Sequence, residues 1–304
     1  MLKSRGAAVI GAFVLIALAI FIRGLVVGDD GGSDGPKKGD DGSTPVVACT
    51  PELVEVCDAL ADDGQIAADP PTLDLDDAAA PPTEVDGWIT WNPAPAIANF
   101  DAGQVPVWGE SDALGSARLA ALLDPATEDV LRGCDGDSVW VCVARSPSDG
   151  LTIGVGEPST AEGLSRLAPL AEALAPDLDP EALPSSDLRA IVASSDSQTD
   201  AATMSGYATQ PGRISIVVGP EDLLGAIAST NQGVERELQV AVATPEAKAT
   251  VVVAPRVGRD LDLADACEDD AVADALRSVG VVPCRGKASD ELAGFLYNVR
   301  EKAS

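Results

Sequence analysis

The chain has 304 residues, with 49 Asp and Glu against 20 Lys and Arg and no histidine, for a net charge of −29. A surface this acidic repels phosphate backbones and argues against nucleic-acid partners, and the lack of His excludes a Ser-His-Asp triad, a Cys-His dyad and a His-ligated zinc. The apolar fraction of 46% suffices for a substantial core, which rests on Ala, Val, Leu and Ile because aromatics are only 3%.

Residues 1–28 stand apart. Ala7 to Ile22 is an uncharged apolar run behind Lys3 and Arg5, and Arg23 follows it. Its sixteen residues fall short of the ~20 a spanning helix needs. Leu25 to Val27 complete that length if Arg23 snorkels to the interface. The basic N-terminus then stays inside and the bulk of the chain goes outside. The segment predicts an uncleaved signal anchor, a single-pass transmembrane helix. The alternative is a cleaved signal peptide with a poor small-residue site at Val26-x-Gly28. No cysteine near the end of the run could carry a lipid anchor. Residues 29–45 are Gly, Asp, Lys, Pro, Ser and Thr with no large apolar side chain before Val46, and read as a flexible tether.

Val46 to Ala48 is a short strand signal. Pro51 to Leu60 reads as a helix with Thr50 as N-cap and Leu53, Val56, Cys57 and Leu60 as its buried stripe. Residues 66–83 read as a loop with a short helix. Gly87 to Trp91, Val105 to Trp108 and Ser138 to Val143 are strand candidates, and Ser116 to Leu123 reads as helical. Leu151 to Gly156 is a strand, Thr160 to Ala175 an apolar-striped helix, and Leu188 to Val192 either. Strands follow at Arg213–Val218, Leu238–Ala243 and Thr250–Ala254, with helices at Glu221–Ser229, Leu261–Val279 and Asp290–Lys302. This alternation predicts an α/β protein with largely parallel sheets.

The six cysteines form three sequence-local pairs: Cys49 with Cys57, Cys134 with Cys142, and Cys267 with Cys284. In an exported chain an even count reads as disulfides, and proximity suggests these partners among about fifteen connectivities. No C-x-x-C spacing favours a metal. The acidic runs Asp74–Asp77 and Glu268–Asp270 lack a calcium-loop pattern and read as solvated surface. No P-loop, G-x-S-x-G or dinucleotide fingerprint is present. No cofactor and no metal are expected.

The segment Gly154-Val-Gly-Glu-Pro-Ser-Thr-Ala-Glu-Gly163 carries the most information. A strand ends at Gly156, Glu157-Pro158 turns the chain, and Ser159 or Thr160 can cap the next helix. Ser159-x-x-Glu162 also fits a capping box. In an α/β unit this helix start faces the ligand crevice, where free N–H groups and two hydroxyls meet a ligand oxygen. Any well-capped helix looks the same. Trp88, Trp91, Trp108 and Trp140 all lie within 88–140 and read first as core, second as a stacking platform. Tyr207 sits in a polar loop that could close over a cleft.

From Gly154 to Leu174 the sequence resembles the strand–turn–helix "A-D-P-x-S-A-x-G" of bacterial extracellular solute-binding proteins with the type II periplasmic-binding fold, and within them the membrane-tethered actinobacterial branch. Ala48 to Cys57 is similar to the first strand and helix of that family, Gly87 to Ala96 to its "G-W-x-T-x-x-P-W-P" segment, and Gly206 to Glu221 to a second-lobe strand and helix. The resemblance implies a two-lobed α/β fold after the N-terminal helix, with residues 46–145 and 236–304 as the first lobe and 146–235 as the second. It places Ser159, Thr160, Thr90, Trp91 and Tyr207 toward an interlobe ligand. Ser116 matches the Ser of an "A-x-S-P" element whose Pro is replaced by Ala117. Glu157 sets a negative charge beside the helix start and argues against molybdate or sulfate.

The expected function is capture of a small ligand outside the cell, with an ABC transporter permease as partner. The alternative is an envelope structural or interaction protein that keeps the fold without a ligand site. An enzyme is not expected: without His it needs a Ser-Lys pair or a carboxylate dyad, and Lys3, Lys37 and Lys38 of the six lysines lie in the anchor and tether.

Overall fold

Twelve residues, Asp112–Leu123, form the strand on which the sheet is assembled (β3). The computed structural model describes residues 44–123, 127, 138–194, 214–230, 239–242 and 246–303. The expected anchor, the tether before residue 44, Cys134 and Tyr207 lie outside the described residues. Among the described residues no helix is long and apolar enough to cross a membrane.

Strands β1 (Val47–Cys49), β2 (Gly87–Trp91), β4 (Ile153–Gly154), β5 (Ile216–Pro220), β6 (Gln239–Val242), β7 (Lys248–Pro255) and β8 (Val282–Pro283) complete a sheet ordered β1-β2-β7-β3-β5-β4. The first half of β3 runs antiparallel to β7, from Asp112↔Val253 to Arg118↔Lys248. Its second half pairs with β5 and with β6. The sheet is thus mixed rather than largely parallel: only β1–β2 and β4–β5 are parallel among the described pairs. Helices are α1 (Val54–Asp62), α2 (Ala94–Ala102), α3 (Val139–Arg145), α4 (Ala161–Leu174), α5 (Ser185–Ser194), α6 (Glu221–Thr230), α7 (Asp270–Ser278) and α8 (Ala293–Ala303).

Several elements depart from the sequence expectation for local physical reasons. Ser116–Leu123 is strand, not helix. Its Ala and Leu favour a helix intrinsically, but residues 119–123 are buried throughout, between neighbours that supply a complete ladder. Gly115 fits there because a Cβ would run into Val281 and the Val282 carbonyl. Ser138–Val143 belongs to a helix, not a strand: Ser138 Oγ caps α3 by accepting from Val141 N, and Trp140, Val143 and Ala144 turn inward at helical spacing. Val105–Trp108 forms no strand. Only Trp108 makes a bridge, with Arg256, while Val105 is 73% exposed. The 66–83 segment holds no helix. Leu261–Val279 is broken at Asp269, whose carboxylate accepts from Ala271 N (2.9 Å) and Val272 N (3.2 Å) to start α7 after the 3₁₀ turn Ala264–Glu268. The stretch 51–60 opens as a 3₁₀ turn (Pro51–Leu53), and Thr50 makes no capping bond.

Polar and aromatic anchors hold the outer loops. Trp88 and Trp108 pack at 5.4 Å between ring centroids, and Trp108 Nε1 donates to the Ala78 carbonyl. Arg300 of α8 reaches both Asp76 and Asp101 at 2.5 Å, tying the acidic loop and α2 to the last helix. Disulfides Cys49–Cys57 and Cys267–Cys284 form as expected, and Cys142 is also disulfide-bonded. The second of these closes a separation of 17 residues and joins the 3₁₀ turn before α7 to the end of β8. Replacing Cys267 and Cys284 by Ala releases a loop constraint of about 3 kcal/mol. The expected outcome is a melting temperature lower by roughly 6–12 °C, read by calorimetry; an unchanged Tm would show that packing alone holds this corner.

Candidate functional site

Because β1 and β2 are parallel neighbours, their carboxyl ends open at the same edge of the sheet. Thr50 follows β1, and Thr90, Trp91 and Asn92 end β2. Thr50 Oγ1, Thr90 Oγ1, Asn92 Oδ1 and the indole nitrogens of Trp88 and Trp91 are buried with no hydrogen-bond partner among the described residues. An unsatisfied buried polar atom costs about 1–3 kcal/mol. Thr50 and Asn92 stand just past the two strands and Thr90 and Trp91 close β2, whereas Trp88 lies near its start.

Asn92 shows how the edge is aimed. Its backbone N–H donates to the Thr250 carbonyl at 2.8 Å, and its Nδ2 donates to the Ser289 carbonyl at 2.7 Å. Oδ1 is left as the acceptor. Asn92 borders a cavity of about 880 Å³, together with Trp140 of α3, Ser165 and Glu172 of α4, and Glu291 and Leu292 before α8. Pro169, inside α4, also lines it. A proline has no N–H, so the Ser165 carbonyl loses its intrahelical donor on this side. Burial raises the Glu172 carboxyl above the ordinary carboxylate range, and the nearby Glu291 carboxylate raises it further.

The start of α4 is filled differently from the sequence expectation. Thr160, not Ser159, is the N-cap. Its Oγ1 accepts from Gly163 N at 3.0 Å and donates to the Glu157 carbonyl at 2.9 Å. No capping box forms; Glu162 instead pairs with the buried Arg166 one turn on. The backbone N–H of Glu162 donates to Glu52 Oε1 at 3.2 Å, across 110 residues of sequence. The anion position at this helix start is therefore held by a carboxyl group of the chain itself. Burial, and then the Glu162 carboxylate, push the Glu52 carboxyl up to about 7, against the lowering effect of Arg166 and the backbone N–H groups.

The structure places the other expected site residues as follows. Thr90 and Trp91 are buried within β2 beside Asn92. Ser116 lies in β3 opposite Thr250 and under Gly286. Ser159 and Thr160 lie near Glu52 and do not line the cavity; nor do Thr90, Trp91 or Ser116. All four tryptophans are core residues, at most 2% exposed, and Trp140 also faces the cavity. Sequence reasoning missed Asn92, Glu172 and Glu291. Asn92 stands directly after the quoted β2 segment and could have been found there, whereas the two glutamates carry no local signal among 49 acidic residues. Among the described residues no group of His, Cys, Asp and Glu could hold a metal ion.

Gly163 sits where a Cβ would collide with the backbone of Glu157, its carbonyl foremost. Ala is the better helix former by about 1 kcal/mol, yet this clash with backbone atoms outweighs it. Gly163→Ala is expected to lose about 1–2 kcal/mol net and to lower Tm measurably in a thermal melt. A rise in Tm would show that the turn can open without cost. For Glu52 the folded pKa lies above the unfolded value of 4.5, so the folded state binds more protons between 4.5 and about 7. Its contribution is full below the unfolded value and is lost as pH rises through about 7. Glu52→Gln should flatten the fall of Tm across this window, matching the parent in acid and exceeding it at about pH 8. Parallel Tm–pH profiles for the two chains would rule out Glu52 as the source.

No protein-family model and no curated protein matches the chain. Solved structures do. Iron-bound HitA from Pseudomonas aeruginosa aligns with a TM-score of 0.51 at 12% identity, covering 86% of this chain and 97% of that one. The periplasmic binding protein AfuA from Actinobacillus pleuropneumoniae, with fructose-6-phosphate bound, scores 0.49 at 13% identity, covering 86% and 93%. A periplasmic thiamin binding protein scores 0.49 at 10% identity, covering 90% and 100%. At these identities the likeness is one of fold alone: the chain has a mixed α/β fold like that of iron-bound HitA.

Proposed function

We propose that the chain is an extracytoplasmic solute-binding protein. It captures a small ligand in the cavity bordered by Asn92 and delivers it to an ABC transporter permease. In this reading residues 1–28 anchor it in the cell membrane by a single pass, with the C-terminal domain outside. Residues 46–145 with 236–304 act as one lobe and 146–235 as the other, and no catalysis is involved. The observation that carries the reading is the cavity itself. Its volume of about 880 Å³ falls within the ~300–1,000 Å³ of small-molecule sites, and it lies at the carboxyl end of β2, an end where α/β folds place ligands. The unpartnered Asn92 Oδ1 at its edge is an acceptor that a solute can complete.

The test is a thermal-shift screen of the extracytoplasmic domain against small metabolites of all charge types. A true ligand at a hundred times its Kd stabilises by about 2.7 kcal/mol, a shift of several degrees. Ala168, which lines the cavity, supplies the control: Ala168→Phe should fill the space and abolish the shift. A screen without any shift, or a shift that survives Ala168→Phe, would overturn the reading and favour an envelope protein that keeps the fold without a ligand.

A further inference from the structure

We infer that the cavity takes an organic ammonium ion, a primary amine, diamine or quaternary ammonium, with its cationic head between Glu172 and Glu291 and its carbon body against Trp140, Leu292 and Leu296. The inference rests on the solute-capture reading and names the ligand class for the same site.

The first observation is the polar lining of the cavity. Of the hydroxyls lining the cavity, Ser165 Oγ donates to the Glu162 carbonyl, while Ser138 Oγ accepts from Val141 N and Ser289 Oγ accepts from Glu291 N. Asn92 Oδ1 and the Glu172 and Glu291 carboxyl groups add acceptors to this lining. A ligand that completes them must bring donors.

The second observation is charge. Three glutamates and two lysines line the cavity. Lys248 faces Glu246 at 3.8 Å, and Glu246 is also held by Arg118 at 2.7 Å, so that corner is balanced within the chain. Lys287 is exposed. Glu172 on the half-buried side and Glu291 at the exposed rim both line the cavity; burial raises the Glu172 carboxyl first, and the Glu291 carboxylate adds to it. A cation between them relieves both the burial and the repulsion. An anion meets the same two carboxylates unscreened, and a neutral sugar leaves them uncompensated. The apolar part of the lining is Trp140 with Pro93, Pro169, Leu292 and Leu296, which suits a hydrocarbon body and an aromatic face for the cation.

The experiment is isothermal titration of the extracytoplasmic domain with 1,4-diaminobutane, spermidine, choline and 2-phenylethylamine, at low and at about 0.15 M salt, with ribose and sulfate as comparison arms. The expected result is saturable one-to-one binding of at least one amine that persists at the higher salt. Glu172→Gln and Glu291→Gln should each weaken it about tenfold or more, while Asp58→Asn on the exposed face of α1 leaves it unchanged. Melting curves of the variants verify that each is folded. Binding that survives both glutamine substitutions would mark diffuse attraction to a chain of net charge −29 and overturn the inference. Binding of ribose or sulfate with no amine would overturn the ligand class and leave solute capture standing. If no probe of any charge binds, the amine inference fails; the capture reading is then decided by the wider thermal-shift screen.

Discussion

The structure depends on one strand that belongs to two sets of neighbours. β3 spends its first half beside β7 and its second beside β5 and β6. Both halves are bound by backbone ladders, the first with a register shift between Ala113 and Gly115, so the two ends of the sheet cannot drift apart without breaking hydrogen bonds in the interior. That fixed frame carries α4 across the open edge left by β1 and β2. The start of the helix meets Glu52, and later turns face Asn92 and the cavity. Neither β1 nor β2 is long, yet their parallel pairing brings the Thr50 and Asn92 segments to one edge.

Charge follows the same economy of means. From Gly39 to Ala117 the chain has sixteen acidic residues and no basic one. The arginines that balance this stretch come from far along the sequence: Arg256 donates to carbonyls of Pro82 and Val85, Arg259 pairs with Asp86, and Arg300 spans Asp76 and Asp101. Exposed pairs of this kind contribute little individually. Arg300, only 12% exposed at its side chain, is the exception, because its two carboxylates come from different elements. The acid excess therefore does structural as well as solubilising work, and of the cavity's glutamates only Glu246 has an arginine pair among the described residues.

Much of this was legible from the residues alone. Periodicity located β2, α4, α6 and the core of β7, and the turn before Ala161 was read as a capped helix start, which Thr160 fulfils. Two local disulfides were readable from spacing. Failures came where tertiary burial reversed a local preference. Ala and Leu in 116–123 say helix, but a strand with partners on both edges satisfies every backbone group there, and α3 wins over a β-like Val-Trp-Val-Cys-Val pattern through its Ser138 cap. The site was half legible. Thr90 and Trp91 do not line the cavity, but they stand just before Asn92, which borders it. The helix start at Ser159–Thr160 was read as open to a ligand because no local pattern reveals that Glu52, 110 residues earlier in the chain, reaches it. Glu172 and Glu291 meet only through the fold.

The position of β7 has a consequence for how the molecule comes into being. This strand lies between β2 and β3, so the first half of the chain holds two strands whose shared neighbour is made more than a hundred residues later. During synthesis β2 and β3 emerge before the strand that joins them. Long-range closure of this kind is slow and leaves apolar strand edges exposed to other chains. The early Cys49–Cys57 loop can close by itself, but the sheet cannot. A protein with this topology completes its sheet only after β7, Lys248–Pro255, has been made.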